Sequence, residues 1–198
     1  MKKIKSEDLI ELQTLQQKMK EELILGCSTS IIPTDVTSIG SNAFWHVQGI
    51  TEIALPSGLT KIGNSAFQNT SLEKIEIPNS VETYGSGVFA YCSNLKSVKL
   101  STGATVINTS MFAYCTSLSE IEIPEGYIEI GKTAFANSTE LATIHLPSTL
   151  KTVGNAAFGN TGLTDVYYAG TSAEFANISI DTTGYGNPFS DVTMHYAK

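Results

Sequence analysis

The sequence of 198 residues contains no arginine, and its 12 lysines are outnumbered by 19 acidic residues, which gives a formal net charge of −7. Phosphate groups are bound by basic patches in which the fork-shaped guanidinium of arginine usually takes part. The composition therefore disfavours nucleic-acid binding. Residues 1–26 contain five lysines and five acidic residues, so residues 27–198 carry the whole charge of −7.

Cysteines and long apolar runs are also scarce. Three cysteines, Cys27, Cys92 and Cys115, are too few and too scattered for a disulfide framework. No apolar run approaches the ~18 residues of a membrane-spanning helix, so membrane insertion is not expected. The basic start at residues 1–5 is not followed by an apolar segment, so the sequence as given has no signal peptide. The protein either stays in the cytoplasm or is a piece of a longer exported chain.

Sequence motifs of catalytic, metal-binding and cofactor-binding sites are missing as well. His46, His145 and His195 lie in different parts of the chain, and none has a metal-ligand partner three or four residues away. The sequence contains no G-x-S-x-G elbow, phosphate-binding glycine loop or C-x-x-C pair. We therefore expect no catalytic residue, no cofactor and no metal, and hence a protein that is not an enzyme. The nearest cluster is His145 between Glu122 and Tyr167, for which a solvated polar surface is the simpler interpretation.

Phenylalanine recurs at a nearly constant interval. Six phenylalanines follow one another about every 23 residues, and each comes directly after a small or apolar residue such as Ala43 or Met111. A fixed period of this length is typical of solenoid proteins, in which each unit packs only against its neighbours. The predicted core of the repeat is the set Phe44, Phe67, Phe89, Phe112, Phe135 and Phe158.

Two further markers keep the same period. A proline follows a short apolar segment in five units, and Ser101 takes its place in the remaining one. A glycine lies seven residues after the proline, and Asn108 replaces it in that same unit. Because asparagine is the commonest non-glycine residue at positive φ, the exchange predicts a left-handed turn there. The two marker sets are Pro33, Pro56, Pro78, Pro124 and Pro147, and Gly40, Gly63, Gly85, Gly131 and Gly154.

Each unit contains two apolar segments. The first ends in alternating positions, as in Ile75-Glu76-Ile77, which predicts a strand with one buried face. The second follows the proline, as in residues 150–154, and leads into the phenylalanine turn. Such units cannot bury their own apolar faces, but coils stacked at ~4.8 Å share one continuous core. Cys92 and Cys115 occupy the same repeat position, and we expect them to be reduced, buried thiols.

The combined pattern, L-x-x-I-x-L-P-x-x-L-x-x-I-G-x-x-A-F-x-x-C, resembles the BspA-like class of leucine-rich repeat over residues 32–163 and, in a degenerate form, from Leu25. The resemblance implies a right-handed solenoid with a parallel β-sheet on the face formed by the L-x-x-I-x-L strands. It also implies a bacterial cell-surface or secreted protein that binds host proteins or other cells. Ser101, Ala104, Asn108 and Met111 depart from the pattern and suggest a looser fourth coil.

The two ends are predicted to close the solenoid. Residues 6–25 have the pattern of a helix, with Leu9 and Leu12 on one face, Ser6 as the N-cap and Gly26 at its end. This helix either caps the first coil or forms a short coiled coil that makes a homo-oligomer.

The predicted organisation is an N-terminal helix over residues 1–25, a solenoid of about six repeats over 26–168, and an aromatic-rich C-terminal cap over 169–198. The fold class is therefore an α/β repeat protein.

Two surfaces are candidates for binding a protein partner. On the strand face the outward columns alternate in charge, which is either a self-compensating solvated surface or a binding surface. On the phenylalanine-turn edge, an exposed Trp45 would be the best single anchor. The alternative function is a structural spacer that self-associates through residues 6–25. The candidate binding residues are Glu120, Glu122, Thr143, His145, Asp165, Tyr167 and Trp45.

Overall fold

A computed structural model describes residues 29–183 and 188–197. Within these ranges the chain winds into coils that each contribute two short strands, one before the proline turn and one after it. The predicted helix over residues 6–25, and with it self-association through that helix, lies outside the described residues. The strands are β1 (Thr29–Ile31), β2 (Ser38–Ile39), β3 (Glu52–Ala54), β4 (Lys61–Ile62), β5 (Lys74–Glu76), β6 (Thr83–Tyr84), β7 (Ser97–Lys99), β8 (Val106–Ile107), β9 (Glu120–Glu122), β10 (Glu129–Ile130), β11 (Thr143–Leu146), β12 (Thr152–Val153), β13 (Asp165–Tyr168), β14 (Ser179–Ile180) and β15 (Thr193–Tyr196).

The odd-numbered strands form one face of the solenoid and the even-numbered strands form another. Every strand pair is parallel, and pairing residues occupy equivalent repeat positions: Ile75 pairs with Val98 and Ile121 with Ile144. The parallel-sheet solenoid expected from the repeat is therefore confirmed. Its right-handed sense stays a prediction.

The phenylalanines form a continuous stack in the interior. Adjacent rings in the series from Phe44 to Phe158 have centroids 4.9–5.5 Å apart and planes within 11° of parallel. Phe44 is 5% exposed, and the other five rings are at most 1% exposed. The prediction that these six residues form the repeat core is confirmed, and the stack ties each coil to the next.

The phenylalanine turns have left-handed backbone, but not at the predicted glycines. Positive φ occurs two residues after the glycine, as at Ser65, where φ is 52°. It occurs again two residues after the phenylalanine, as at Asn69, where φ is 55°. Four of the five glycines instead allow close approach between coils; a Cβ on Gly85, for example, would clash with the backbone of Asn64. Asn108 fits the same place by donating a hydrogen bond to the Tyr84 carbonyl oxygen. The predicted left-handed turn at the glycine is therefore wrong.

The fourth coil is filled by a polar network, and the expectation of a looser coil is wrong. Ser101, which replaces the proline, is fully buried and donates a hydrogen bond to the Val81 carbonyl oxygen at 2.6 Å. The Tyr127 hydroxyl donates to the Ser101 carbonyl oxygen at 2.9 Å and lies 3.2 Å from the Tyr84 hydroxyl. Tyr127 occupies the repeat position of Ala104 in the next coil, so a large side chain compensates for a small one. Burial raises the pKa of both tyrosines.

Cys92 and Cys115 are free, buried thiols, as expected. Each thiol donates to the carbonyl oxygen of the phenylalanine one coil earlier, at 3.1 and 3.3 Å. Ser138 is in the same column and makes the equivalent bond at 2.7 Å. These three positions of the column therefore share a small side chain that donates a hydrogen bond to the preceding coil. Burial raises the pKa of both thiols, which keeps them protonated.

The C-terminal residues extend both strand series and cover the end of the phenylalanine stack. A short helix, α1 (Ser172–Phe175), is capped at its start by reciprocal bonds between Thr171 and Glu174. The ring of Phe189 packs edge-on against Phe158 at 5.3 Å and against Phe175 at 5.6 Å. In the described ranges α1 is the one α-helix, so the repeats themselves are β-strands and turns and not α/β units. None of the helical structure described there is long and apolar enough to span a bilayer.

Removal of one ring from the stack should destabilise the whole solenoid. We expect Phe112→Ala to lower the free energy of unfolding by about 3–5 kcal/mol, because it leaves a cavity between two buried rings. Glu76→Ala, on the exposed strand face, should cost under ~1 kcal/mol. Denaturant unfolding measures both variants, and equal losses would contradict the internal position of the stack.

The glycine column gives a second test of coil spacing. Gly85→Ala places a Cβ against the backbone of the preceding coil, and overpacking of this kind costs about 1–3 kcal/mol. Gly58→Ala is the matched control, because an added Cβ there meets nothing within 4 Å. Thermal unfolding should separate the two variants, and a Gly85→Ala protein as stable as Gly58→Ala would show that the coils are farther apart.

Candidate partner-binding surface on the strand face

Six of the predicted binding residues lie together on the outer side of β9, β11 and β13. The buried residues Ile121, Ile144 and Val166 point inwards from these strands, so the alternating positions on either side point outwards. Strand pairing places the outward residues in two columns. One column contains Glu120, Thr143 and Asp165, and the other contains Glu122, His145 and Tyr167.

The second column contains a three-ring aromatic stack. The His145 and Tyr167 rings are 4.7 Å apart with planes 10° from parallel. The Tyr167 and His195 rings are 4.2 Å apart with planes 7° from parallel. Tyr167 is 39% exposed at the centre of the stack. We call His145, Tyr167 and His195 the ring ladder.

Each histidine of the ring ladder contacts a carboxylate of the neighbouring column. His145 Nε2 lies 3.0 Å from Glu120 Oε1, and His195 Nε2 lies 2.9 Å from Asp165 Oδ1. Hydrogen bonds from His195 and then from Thr164 hold the pKa of the Asp165 carboxyl below its usual range. The sequence pattern suggests that His145, Tyr167 and Asp165 form the least compensated end of the face. That interpretation stays a prediction; in the structure Glu120 and Asp165 are hydrogen-bonded to the two imidazoles.

Sequence reasoning places His145 beside Glu122 and misses His195 as part of the site. Glu122 and His145 do pair in register, but the imidazole turns to Glu120 on the diagonal instead. His195 reaches the ladder because β15 pairs with β13 and sets His195 opposite Tyr167. The alternation of Val192, Met194 and Tyr196 with polar residues in the tail is the signal that could have revealed this strand.

The other end of the strand face is covered by exposed ion pairs. Lys74 Nζ lies 2.9 Å from Glu52 Oε1, and Lys99 Nζ lies 3.7 Å from Glu76 Oε2. All four side chains are at least half exposed, and such pairs contribute little to stability. This end has the predicted alternating charges, which compensate one another.

Trp45 lies apart from the strand-face residues, on the turn after Phe44. Its side chain is 51% exposed and packs edge-on against the His46 ring at 4.2 Å. The structure therefore separates the predicted binding residues into two places. Across residues 29–183 and 188–197, no group of three or more His, Cys, Asp or Glu side chains could hold a metal ion.

The Asp165–His195 contact predicts a pH-dependent stability. Because the pKa of Asp165 is lowered in the folded protein, its contribution is fully present above the unfolded value near pH ~4. It is lost as the pH falls through the lower, folded value. We expect Asp165→Asn to be less stable than the wild type at neutral pH, with a difference that shrinks as the pH falls below about 4. Unfolding curves across this range measure the difference, with the exposed Glu122→Gln as control; a constant difference would contradict the role of the carboxylate.

Six copies of the BspA type leucine rich repeat region match residues 25–126 and 105–181. No curated protein matches the chain.

Among solved structures, a leucine-rich repeat protein from Bacteroides ovatus has 22% identity and a TM-score of 0.68, over 83% of this chain and 48% of that one. A leucine-rich repeat protein from Eubacterium ventriosum has 20% identity and a TM-score of 0.64, over 70% and 44% of the two chains. A leucine rich cell surface protein from Faecalibacterium prausnitzii has 22% identity and a TM-score of 0.51, over 83% and 66%.

The chain thus spans from 44% to 66% of the length of these three structures, and the likeness concerns the fold. The repeat match extends over residues 25–181, which is most of the sequence, and agrees with the coil register described above. This chain therefore belongs to the family of BspA-type leucine-rich repeat proteins.

Proposed function

We propose that this protein is a non-catalytic protein-binding module whose partner contacts the strand face at the ring ladder. The ladder and the carboxylates beside it combine four of the candidate residues, namely Glu120, His145, Asp165 and Tyr167, with His195. Thr143 lies between the two carboxylates in the neighbouring column. Glu122 is exposed next to His145. Trp45 would be a separate anchor on the turn edge.

The observation that supports this proposal most strongly is the exposed stack of three rings. Tyrosine contributes large contact area and loses little side-chain entropy on binding, and it is enriched among the residues that dominate binding energy. Here the stacking holds the rings before a partner arrives, which reduces the entropy that binding must still remove. The Glu120 and Asp165 contacts also orient the two imidazoles. The ring ladder is therefore a preorganised contact surface.

Charge favours a partner with a basic patch. Residues 27–198 carry the full net charge of −7, and the exposed Glu122 adds an acid beside the ladder. Opposite charge on a partner would accelerate association, and salt would weaken this effect. We therefore propose a protein partner with basic residues around an aromatic or apolar contact.

We also propose that the protein acts at a bacterial cell surface or after secretion, where it binds a host protein or another surface protein. The support is the family and the Faecalibacterium prausnitzii relative described as a cell surface protein. Because this chain spans part of the length of its solved relatives, the proposal concerns the repeat surface and not a whole protein's activity.

Binding to a panel of purified extracellular-matrix and host-surface proteins tests the proposal. For any protein that binds, Tyr167→Ala should weaken the affinity by at least about tenfold, as for an interface hot spot. Lys99→Ala, at the other end of the same face, is the control and should change the affinity less than about threefold. The proposal fails if no panel member binds the folded protein, or if Tyr167→Ala and Lys99→Ala bind equally well.

A further inference from the structure

A groove crosses the phenylalanine turns, on a surface that shares no residue with the ring ladder. It has a volume of about 420 Å³ and extends over several coils, from Ser65 to Asn137. The methyl groups of Ala90, Ala113 and Ala136 form its floor. One wall is formed by Tyr91 and Tyr114. We call this the turn groove.

The turn groove is uncharged in a strongly acidic protein. None of its twelve lining residues is charged, whereas the groove on the strand face includes Glu52, Lys74, Glu76 and Lys99 among its lining. A charged group that entered the turn groove would lose water without gaining a counter-ion, which is unfavourable. The groove therefore selects for an uncharged ligand.

The tyrosine wall presents hydroxyl groups and ring edges to the ligand. The Tyr91 and Tyr114 rings stack on each other at 4.5 Å with planes 8° from parallel, and they are 46% and 40% exposed. Neither hydroxyl has a hydrogen-bond partner among the described residues. The stacking covers one face of each ring and leaves the edges and hydroxyls available, and a ring edge carries partial positive charge that attracts carbonyl oxygens.

The opposite rim offers acceptors. The Thr133 hydroxyl donates to the Lys132 carbonyl oxygen at 2.7 Å, so the Ser110 hydroxyl, 2.8 Å from Thr133 Oγ1, is the donor of that pair. The Ser110 oxygen therefore keeps its lone pairs for an incoming N–H group. Donors on one wall and acceptors on the other match the two sides of an extended peptide, which carries carbonyl and N–H groups.

The repeat also explains why the groove is open at this place. The floor position follows the core phenylalanine directly, and in the first two units it is occupied by Trp45 and Gln68. From Ala90 onwards the residue is small. Three coil spacings of ~4.8 Å give a length of roughly 15 Å, enough for about five extended residues at ~3.3 Å each.

We infer that the turn groove binds an extended, uncharged peptide segment of about five residues. This inference rests on the proposed role as a protein-binding module, but it assigns a different surface and a different ligand chemistry from those of the ring ladder. The segment is held by its main chain between the tyrosine wall and the serine and threonine rim.

For two groove variants, the side chain that is introduced already occurs at the equivalent position of another repeat. Ala113→Gln fills the floor with the side chain that Gln68 carries at the equivalent position. Tyr114→Asn removes the wall with the residue found at Asn69 and Asn137, where asparagine adopts φ values of 55° and 62°. Thermal unfolding of both variants should match that of the wild type. Lys99→Ala, an exposed strand-face change outside both proposed sites, is the control for binding.

The test is selection of a displayed library of random seven-residue peptides on the immobilised full chain. We expect uncharged sequences to be enriched, and synthetic peptides of those sequences to bind Ala113→Gln and Tyr114→Asn at least about tenfold more weakly, with unchanged binding to Lys99→Ala. The inference is overturned if no peptide is enriched, if the enriched peptides are charged, or if they bind Ala113→Gln as well as the wild type. Binding to a glycan array that depends on Tyr114 would also overturn it, in favour of a sugar ligand. The two proposals fail independently. If no peptide binds the turn groove but Tyr167→Ala still weakens binding of a protein partner, only this inference fails; if peptides bind the groove but Tyr167→Ala has no effect on a protein partner, only the proposed function fails.

Discussion

A single coil of the repeat is too short to surround its own phenylalanine, so each coil depends on the coils beside it for a buried core. The stack from Phe44 to Phe158 is the physical form of this dependence, with neighbouring centroids at 4.9–5.5 Å. Rings at this distance fix the separation of the coils. The glycine column then becomes necessary, because at that separation a Cβ on Gly131 would lie 2.8 Å from the Thr109 nitrogen.

The same register determines the surface. Residues at equivalent positions become lateral neighbours, so a change in residue type along one column creates a local feature. On the strand face the column changes from Glu76 and Lys99 to rings at His145 and Tyr167, and a paired-charge surface becomes the ring ladder. On the turn edge the column changes from Trp45 and Gln68 to alanines, and the turn groove opens. Both proposed sites are thus departures from regular repetition on a regular scaffold.

Much of the fold is predictable from sequence because a strict period specifies which positions are buried and which residues are adjacent. The strand pairs, the phenylalanine stack and the two outward columns follow from spacing alone. Spacing does not predict which neighbour a side chain contacts, because a long side chain can reach either the directly opposite residue or a diagonal one. His145 therefore pairs with Glu120, although its in-register neighbour is Glu122.

Other features escape prediction for different reasons. The tail after β13 has no proline or phenylalanine at the 23-residue interval. The repeat therefore does not predict β15 or the role of His195, and only the two-residue alternation in the tail points to this strand. A regular spacing of glycines suggests positive φ. In the structure, glycine is needed at four of these five positions because the backbone of the preceding coil lies too close for a Cβ. This contact involves two coils and cannot be read from the sequence of one repeat. The buried network of Ser101, Tyr84 and Tyr127 joins three coils, and only the assembled solenoid shows that Tyr127 compensates for Ala104.

The most direct test of coil stacking is the stability of proteins shortened by a whole coil or by part of one. Deletion of residues 47–69 removes one complete repeat and joins His46 to Thr70, which preserves the register. Deletion of residues 47–57 removes only part of that repeat and breaks the register. Denaturant unfolding of the whole-coil deletion should show one cooperative transition, and the partial deletion should show none. If both shortened proteins unfold cooperatively with similar midpoints, the coils do not share the core described here.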